Sequence, residues 1–117
     1  MSRSVSKTFV LLGLCLSITH LAHADTEQCL IVVNGKTYLQ GPCEVKADAD
    51  IPGLFTVGVS DKSRSTHFAY IEPDDAGHTI GYWNADAADT HAQDPLGELT
   101  RSGSCWSNSH ARICAEH

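Results

Sequence analysis

Beyond residue 28 the chain alternates short apolar runs with polar turn chemistry, and no stretch keeps the period of an amphipathic helix. The turn signals recur at intervals of roughly 8–12 residues, the spacing of a β-meander, sandwich or barrel. Residues 29–33 read as a strand. Asn34-Gly35 then gives the strongest short hairpin signal, because a type I′ turn needs positive φ at both central residues. Residues 36–40 return antiparallel, Gly41-Pro42 breaks the strand, and 43–46 resume it. Further strands are expected at 54–59, 67–71, 79–83, 96–100, 104–106 and 111–114, with turns at 48–53, 60–65, 73–77 and 101–103. The expected fold is therefore all-β, a small antiparallel meander forming a sandwich or barrel. The exception is 84–95, NADAADTHAQDP, a long connection for so small a domain, and such loops are usually functional or mobile. Within it, 85–88 is expected to form a single helical turn.

The first 24 residues follow another pattern. Arg3 and Lys7 precede an apolar stretch at 8–18, shorter than the roughly 20 residues a membrane span needs. Ala22-His23-Ala24 places small residues where a signal peptidase cleaves. Residues 1–24 are thus expected to be a cleaved secretory signal peptide and 25–117 a single exported domain, destined for the periplasm or beyond. Cys15 leaves with the signal, which reduces five cysteines to four: Cys29, Cys43, Cys105 and Cys114. An even set in a short exported chain is a disulfide framework by default.

Cys105 and Cys114 flank WSNSHARI, and with Ser109-His110 at a hairpin tip they face each other closely enough to bridge. Cys29 and Cys43 flank the Asn34-Gly35 hairpin. A two-residue turn sets Cys29 opposite Gln40, so a kink at Gly41-Pro42 has to bring Cys43 back. Cys29–Cys43 and Cys105–Cys114 are the expected bridges, and the two other connectivities stay open on sequence alone.

Charge narrows the class of partner. Without residues 1–24, Lys plus Arg falls from 8 to 6 against 14 Asp and Glu, a net charge of about −8 with His neutral. That balance argues against nucleic acid and anionic membrane surfaces, which require a basic face, and suits a cationic partner. No catalytic, metal or cofactor site is expected. His67, His78, His91, His110 and His117 lack helical metal-site spacing, the cysteines form no close Cys-x-x-Cys pair, and no Gly-x-Ser-x-Gly turn or phosphate-binding glycine loop is present. Phe68 and Tyr70 share one strand face, whereas Tyr82 and Trp83 point to opposite faces. One of the latter two belongs to the core, and the other looks outward beside the acidic loop.

Gly81-Tyr82-Trp83-Asn84, followed by HAQDPLGELTRSGSCW at 91–106, resembles a family of small exported proteobacterial proteins. In that family Gly-Tyr/Phe-Trp-Asn, a His-Ala-x-Asp loop, Leu-Gly-x-Leu and Gly-x-Cys-Trp recur. The resemblance extends over residues 29–114 and implies no particular activity. In size, export signal, disulfides and β content the chain also resembles periplasmic lysozyme inhibitors and the immunity proteins that guard bacteria against wall-targeting toxins. The inhibitors' Ser-Gly-x-x-Tyr segment is missing, its nearest counterpart being Ser102-Gly103-Ser104-Cys105-Trp106. These features lead to the expectation of a non-enzymatic protein that binds and inhibits a cationic peptidoglycan-acting enzyme, either a secreted toxin or a lysozyme. The candidate partner-binding residues are Asp74, Asp75, Tyr82, Trp83, Asn84, Asp86, Asp89, His91 and Asp94, with 84–95 as the insertion element. A carbohydrate- or peptidoglycan-binding module that stacks sugars on Tyr82, Trp83 and Trp106 is the alternative. A structural envelope protein without a dedicated ligand is the third reading.

Overall fold

In the computed structural model, which describes residues 26–58 and 65–116, eight antiparallel strands succeed one another in chain order and close into a barrel. They are β1 (Thr26–Val33), β2 (Lys36–Ala47), β3 (Phe55–Val57), β4 (Ala69–Pro73), β5 (Thr79–Trp83), β6 (Asp94–Ser102), β7 (Cys105–Ser107) and β8 (Ala111–Glu116). Each strand pairs with the next, and β8 pairs with β1 to complete the circle. The expected signal segment and most of the expected 60–65 turn lie outside the described residues.

An eight-stranded barrel is just wide enough for side chains to fill it, and the strand alternation fills this one. Across the closing seam, Cys29, Ile31 and Val33 of β1 face Ala115, Ile113 and Ala111 of β8. Val57, Ala69, Ile71, Trp83, Leu96, Leu99 and Trp106 complete the buried interior. Ile31, Val57, Ile71 and Ile113 keep no exposed surface. The outer positions are mostly polar, the reverse of the pattern a transmembrane barrel requires. Up-and-down connectivity sorts the turns into two sets. Asn34-Gly35, 84–93 and 108–110 lie at one end of the barrel, here the loop end, while 48–54, 74–78 and 103–104 lie at the other with both barrel termini.

Asn34 and Gly35 adopt φ values of 52° and 81°, as the type I′ turn demands. The two-residue register nevertheless does not persist to Cys29. A bulge leaves Tyr38 between the pairs Val32–Thr37 and Ile31–Leu39, so Cys29 stands opposite Gly41 rather than Gln40. Gly41-Pro42 does not break β2 either. β3 pairs with β2 only at Val45, Lys46 and Ala47, so Pro42 sits where a ladder runs along one side alone, the edge-like setting that proline tolerates.

This register explains the first disulfide. Gly41 has no side chain to occupy the space across from Cys29, and Cys43 projects from the same face two residues on. The Cys29–Cys43 bridge therefore forms inside the barrel, with Cα atoms 5.8 Å apart. Cys105 and Cys114 are directly opposed on β7 and β8, and their bridge, with Cα atoms 4.0 Å apart, lies on the outer face. The Arg112 guanidinium group covers it, with Nε 3.5 Å from Cys114 Sγ.

Candidate functional site

β6 starts at Asp94, two residues earlier than its apolar pattern suggests, so the long connection after β5 runs over 84–93. The helical turn expected at 85–88 does not form. A tight turn stands there instead, closed by the Asp89 N–H donating to the Asp86 carbonyl at 2.9 Å, with the Asp86 carboxylate accepting from the Ala88 N–H at 2.9 Å. Aspartate prefers this local acceptor role, which competes with helix.

The connection is held by Asn84, which is fully buried. Its Oδ1 accepts from the Phe68 N–H at 2.7 Å, and its Nδ2 donates to the carbonyls of Thr66 at 2.7 Å and Asp89 at 3.1 Å. Its carbonyl accepts from His67 Nδ1 at 2.9 Å, so that ring nitrogen carries the proton. One side chain at the end of β5 thus ties the segment leading into β4 to the far side of the loop. At the neck, the Asp94 carboxylate accepts from the Ala85 N–H at 2.9 Å. Buried polar groups must be paired, and low dielectric strengthens the pairs they make, so this network fixes the loop in one shape.

Of Tyr82 and Trp83, the tryptophan is the core residue. Trp83 is 6 % exposed and packs edge-on against Tyr38, with ring centroids 4.7 Å apart, and over His67 at 5.5 Å. Trp106 is buried to the same degree, beside Phe55. Little of either indole reaches solvent, although Trp106 borders a second cleft with Phe55 and Arg101. Tyr82 lies half-buried on the outer face opposite Tyr70, and the register continues this outer row through Thr56 to Lys46. Between this row and residues 90–93 of the loop opens a cleft of about 540 Å³. Phe68 and Gly58 lie beneath it, and Tyr70, Lys46, Thr56, His91 and Gln93 form its walls.

The nine candidate residues therefore divide. Tyr82, Asp86, Asp89, His91 and Asp94 gather at the loop end, with Trp83 and Asn84 beneath them as supports rather than contact surfaces. Asp74 and Asp75 occupy the β4–β5 turn at the opposite end of the barrel. Asp74 is engaged in its own turn, accepting from the N–H groups of His78 at 2.8 Å and Ala76 at 2.9 Å. Those bonds, led by the one from His78 and helped by its imidazole, hold the Asp74 carboxyl below its ordinary value of 3.8. Lys46, Thr56, Tyr70 and Gln93 are absent from the candidate set. Strand alternation placed Tyr70 on one face with Phe68, but only the barrel register brings Lys46 and Thr56 beside it.

The motif residues prove to be builders of the fold. A Cβ on Gly81 would stand 2.5 Å from Leu99 Cδ1 and 3.3 Å from Leu96 Cβ. The glycine of Gly-Tyr-Trp-Asn thus makes room for both leucines of Leu-Gly-x-Leu, one of which is the extra residue of a bulge between β5 and β6. Cys105 and Trp106 of Gly-x-Cys-Trp are likewise buried. No protein-family model, curated protein or solved structure matches the chain.

Proposed function

We propose that this protein is an exported, periplasmic binding protein that blocks a cationic peptidoglycan-acting enzyme, as an immunity protein against a wall-targeting toxin or as a lysozyme inhibitor. The observation that carries this reading is the anchoring of 84–93 by Asn84. A loop already fixed in the free protein loses little conformational freedom on docking, which lowers the cost of association. The carboxylates of Asp86 and Asp89 stand on that fixed loop in a strongly acidic domain, and complementary charge speeds encounter and sets orientation. The filled barrel interior directs recognition to the outer surface and the loops. The reading assigns no catalysis, cofactor or metal to the chain.

The test is equilibrium binding of the oxidised protein to lysozymes and to purified wall-lytic toxins, with the Asp86→Lys/Asp89→Lys double variant alongside. The double reversal is expected to weaken the complex by at least about tenfold, mainly through association rate at low salt. A double reversal at Asp50 and Asp75, at the opposite end, is expected to cost far less. Equal losses from the two pairs, or no loss from the first, would reject the loop as the contact surface.

A further inference from the structure

The cleft between the loop and the outer barrel wall has an unusual charge. Among the described residues, no acidic side chain lines this cleft, although the domain as a whole is strongly acidic. The polar groups of the cleft are Lys46, Thr56, Thr90, His91 and Gln93, set around the Tyr70 ring. The acidic crest of the loop, with Asp86 and Asp89, is thus backed by a pocket that offers a cation and neutral hydrogen-bonding groups. We propose that this cleft binds a saccharide that carries a carboxylate.

Each part of that chemistry has a counterpart in the wall of the cleft. Tyr70 is 39 % exposed, the highest value of any aromatic side chain on the described surface, and its ring borders the cleft. The electron-rich face of an aromatic ring attracts the polarised C–H face of a sugar. Threonine hydroxyls both donate and accept, and the Gln93 amide offers a donor and an acceptor side by side, the pattern that ring hydroxyls require. Lys46 supplies the positive charge for the carboxylate. Its side chain is 68 % exposed, and the Glu44 carboxylate stands at 4.0 Å, the outer limit of an ion pair, so the ammonium retains donors for a ligand.

The site is also built firmly. Phe68 beneath it is 3 % exposed, and its N–H is bound by Asn84. Gly58 beside it leaves space that a side chain would close, since a Cβ there would meet Phe68 Cβ at 3.1 Å. The volume of about 540 Å³ falls within the range of small-molecule sites, roughly 300–1,000 Å³. This inference does not depend on a protein partner, because Tyr70 and Lys46 are separate from the loop carboxylates.

The experiment is an NMR titration of the oxidised protein with three probes: N-acetylmuramic acid, N-acetylglucosamine, which lacks the carboxylate, and D-lactate, which lacks the sugar. N-acetylmuramic acid is expected to shift the amides of Thr56, Tyr70 and Gln93, and each of the other probes to bind at least about tenfold more weakly. Tyr70→Ala and Lys46→Met are each expected to weaken binding by about tenfold, while Tyr70→Phe, which keeps the ring, retains it. Both positions are on the surface, and an unchanged pattern of core amide shifts verifies the fold of each variant. The absence of shifts at the cleft, or their appearance elsewhere, would overturn the proposal. Lactate binding as tightly as the sugar acid would reduce the site to a simple anion contact, and equal binding of N-acetylglucosamine would remove the carboxylate; either result also overturns it.

Discussion

The two halves of this barrel are held together by different means. β7, β8, β1 and β2 carry both disulfides, one within the interior and one on the outer face. β3 to β6 contain no cysteine, and their long connection is fixed by hydrogen bonds converging on one buried asparagine. Covalent links restrict the unfolded chain, whereas a buried polar network acts in the folded state by specifying one arrangement. The tied half supports the barrel seam, and the hydrogen-bonded half shapes the cleft and the acidic loop. Both proposed binding surfaces draw on the half that is defined by hydrogen-bond geometry, with Lys46 of β2 as the one contribution from the cross-linked half.

The largest effect is expected from breaking the tied half. Cys105→Ala/Cys114→Ala removes the outer bridge, and stability measured by denaturant unfolding should fall by about 2–5 kcal/mol. The cleft should keep its shape wherever the variant stays folded, because neither cysteine touches it. Asn84→Ala attacks the other half. It leaves the Phe68 N–H and the Thr66 and Asp89 carbonyls without this partner, at a cost of about 1–3 kcal/mol. Unlike the cysteine variant, it should also accelerate hydrogen exchange locally, at residues 66–68 and 84–93. Global loss with no local signature would mean that Asn84 supports the whole barrel and not the loop in particular.

The smallest effect concerns the turn at the far end. The carboxyl of Asp74 is held below its ordinary value, so the folded state favours its charged form. That contribution is fully present above the unfolded value near 3.8 and disappears as pH falls through the lower folded value. Asp74→Asn should therefore lower the melting temperature slightly at neutral pH and leave it nearly unchanged in strong acid. An equal difference at both pH values would place the effect in the turn geometry instead of the charge.

Much of the architecture was legible because its signals are local. The Asn34-Gly35 turn needs only two residues with positive φ, and Cys105 and Cys114 oppose each other across a short hairpin. The candidate site was legible only in part. The loop was marked by its length and composition, and the opposition of Tyr82 and Trp83 follows from strand alternation. Asp74 and Asp75 lie close to the loop along the chain yet at the other end of the barrel, because β5 runs the full height between them.

The sequence by itself indicated the all-β class, the hairpin turns at 34–35, 48–53 and 73–77, Cys105–Cys114 as the favoured pairing and the opposed faces of Tyr82 and Trp83. Tertiary structure alone decided which of those two rings is buried, where Cys29 stands relative to Cys43, and that Lys46 and Thr56 meet Tyr70 in one cleft. The barrel carries bulges at Tyr38 and Leu96, and each bulge moves every pairing beyond it by one residue. Those shifts depend on packing between distant strands, and no local pattern of residues records them.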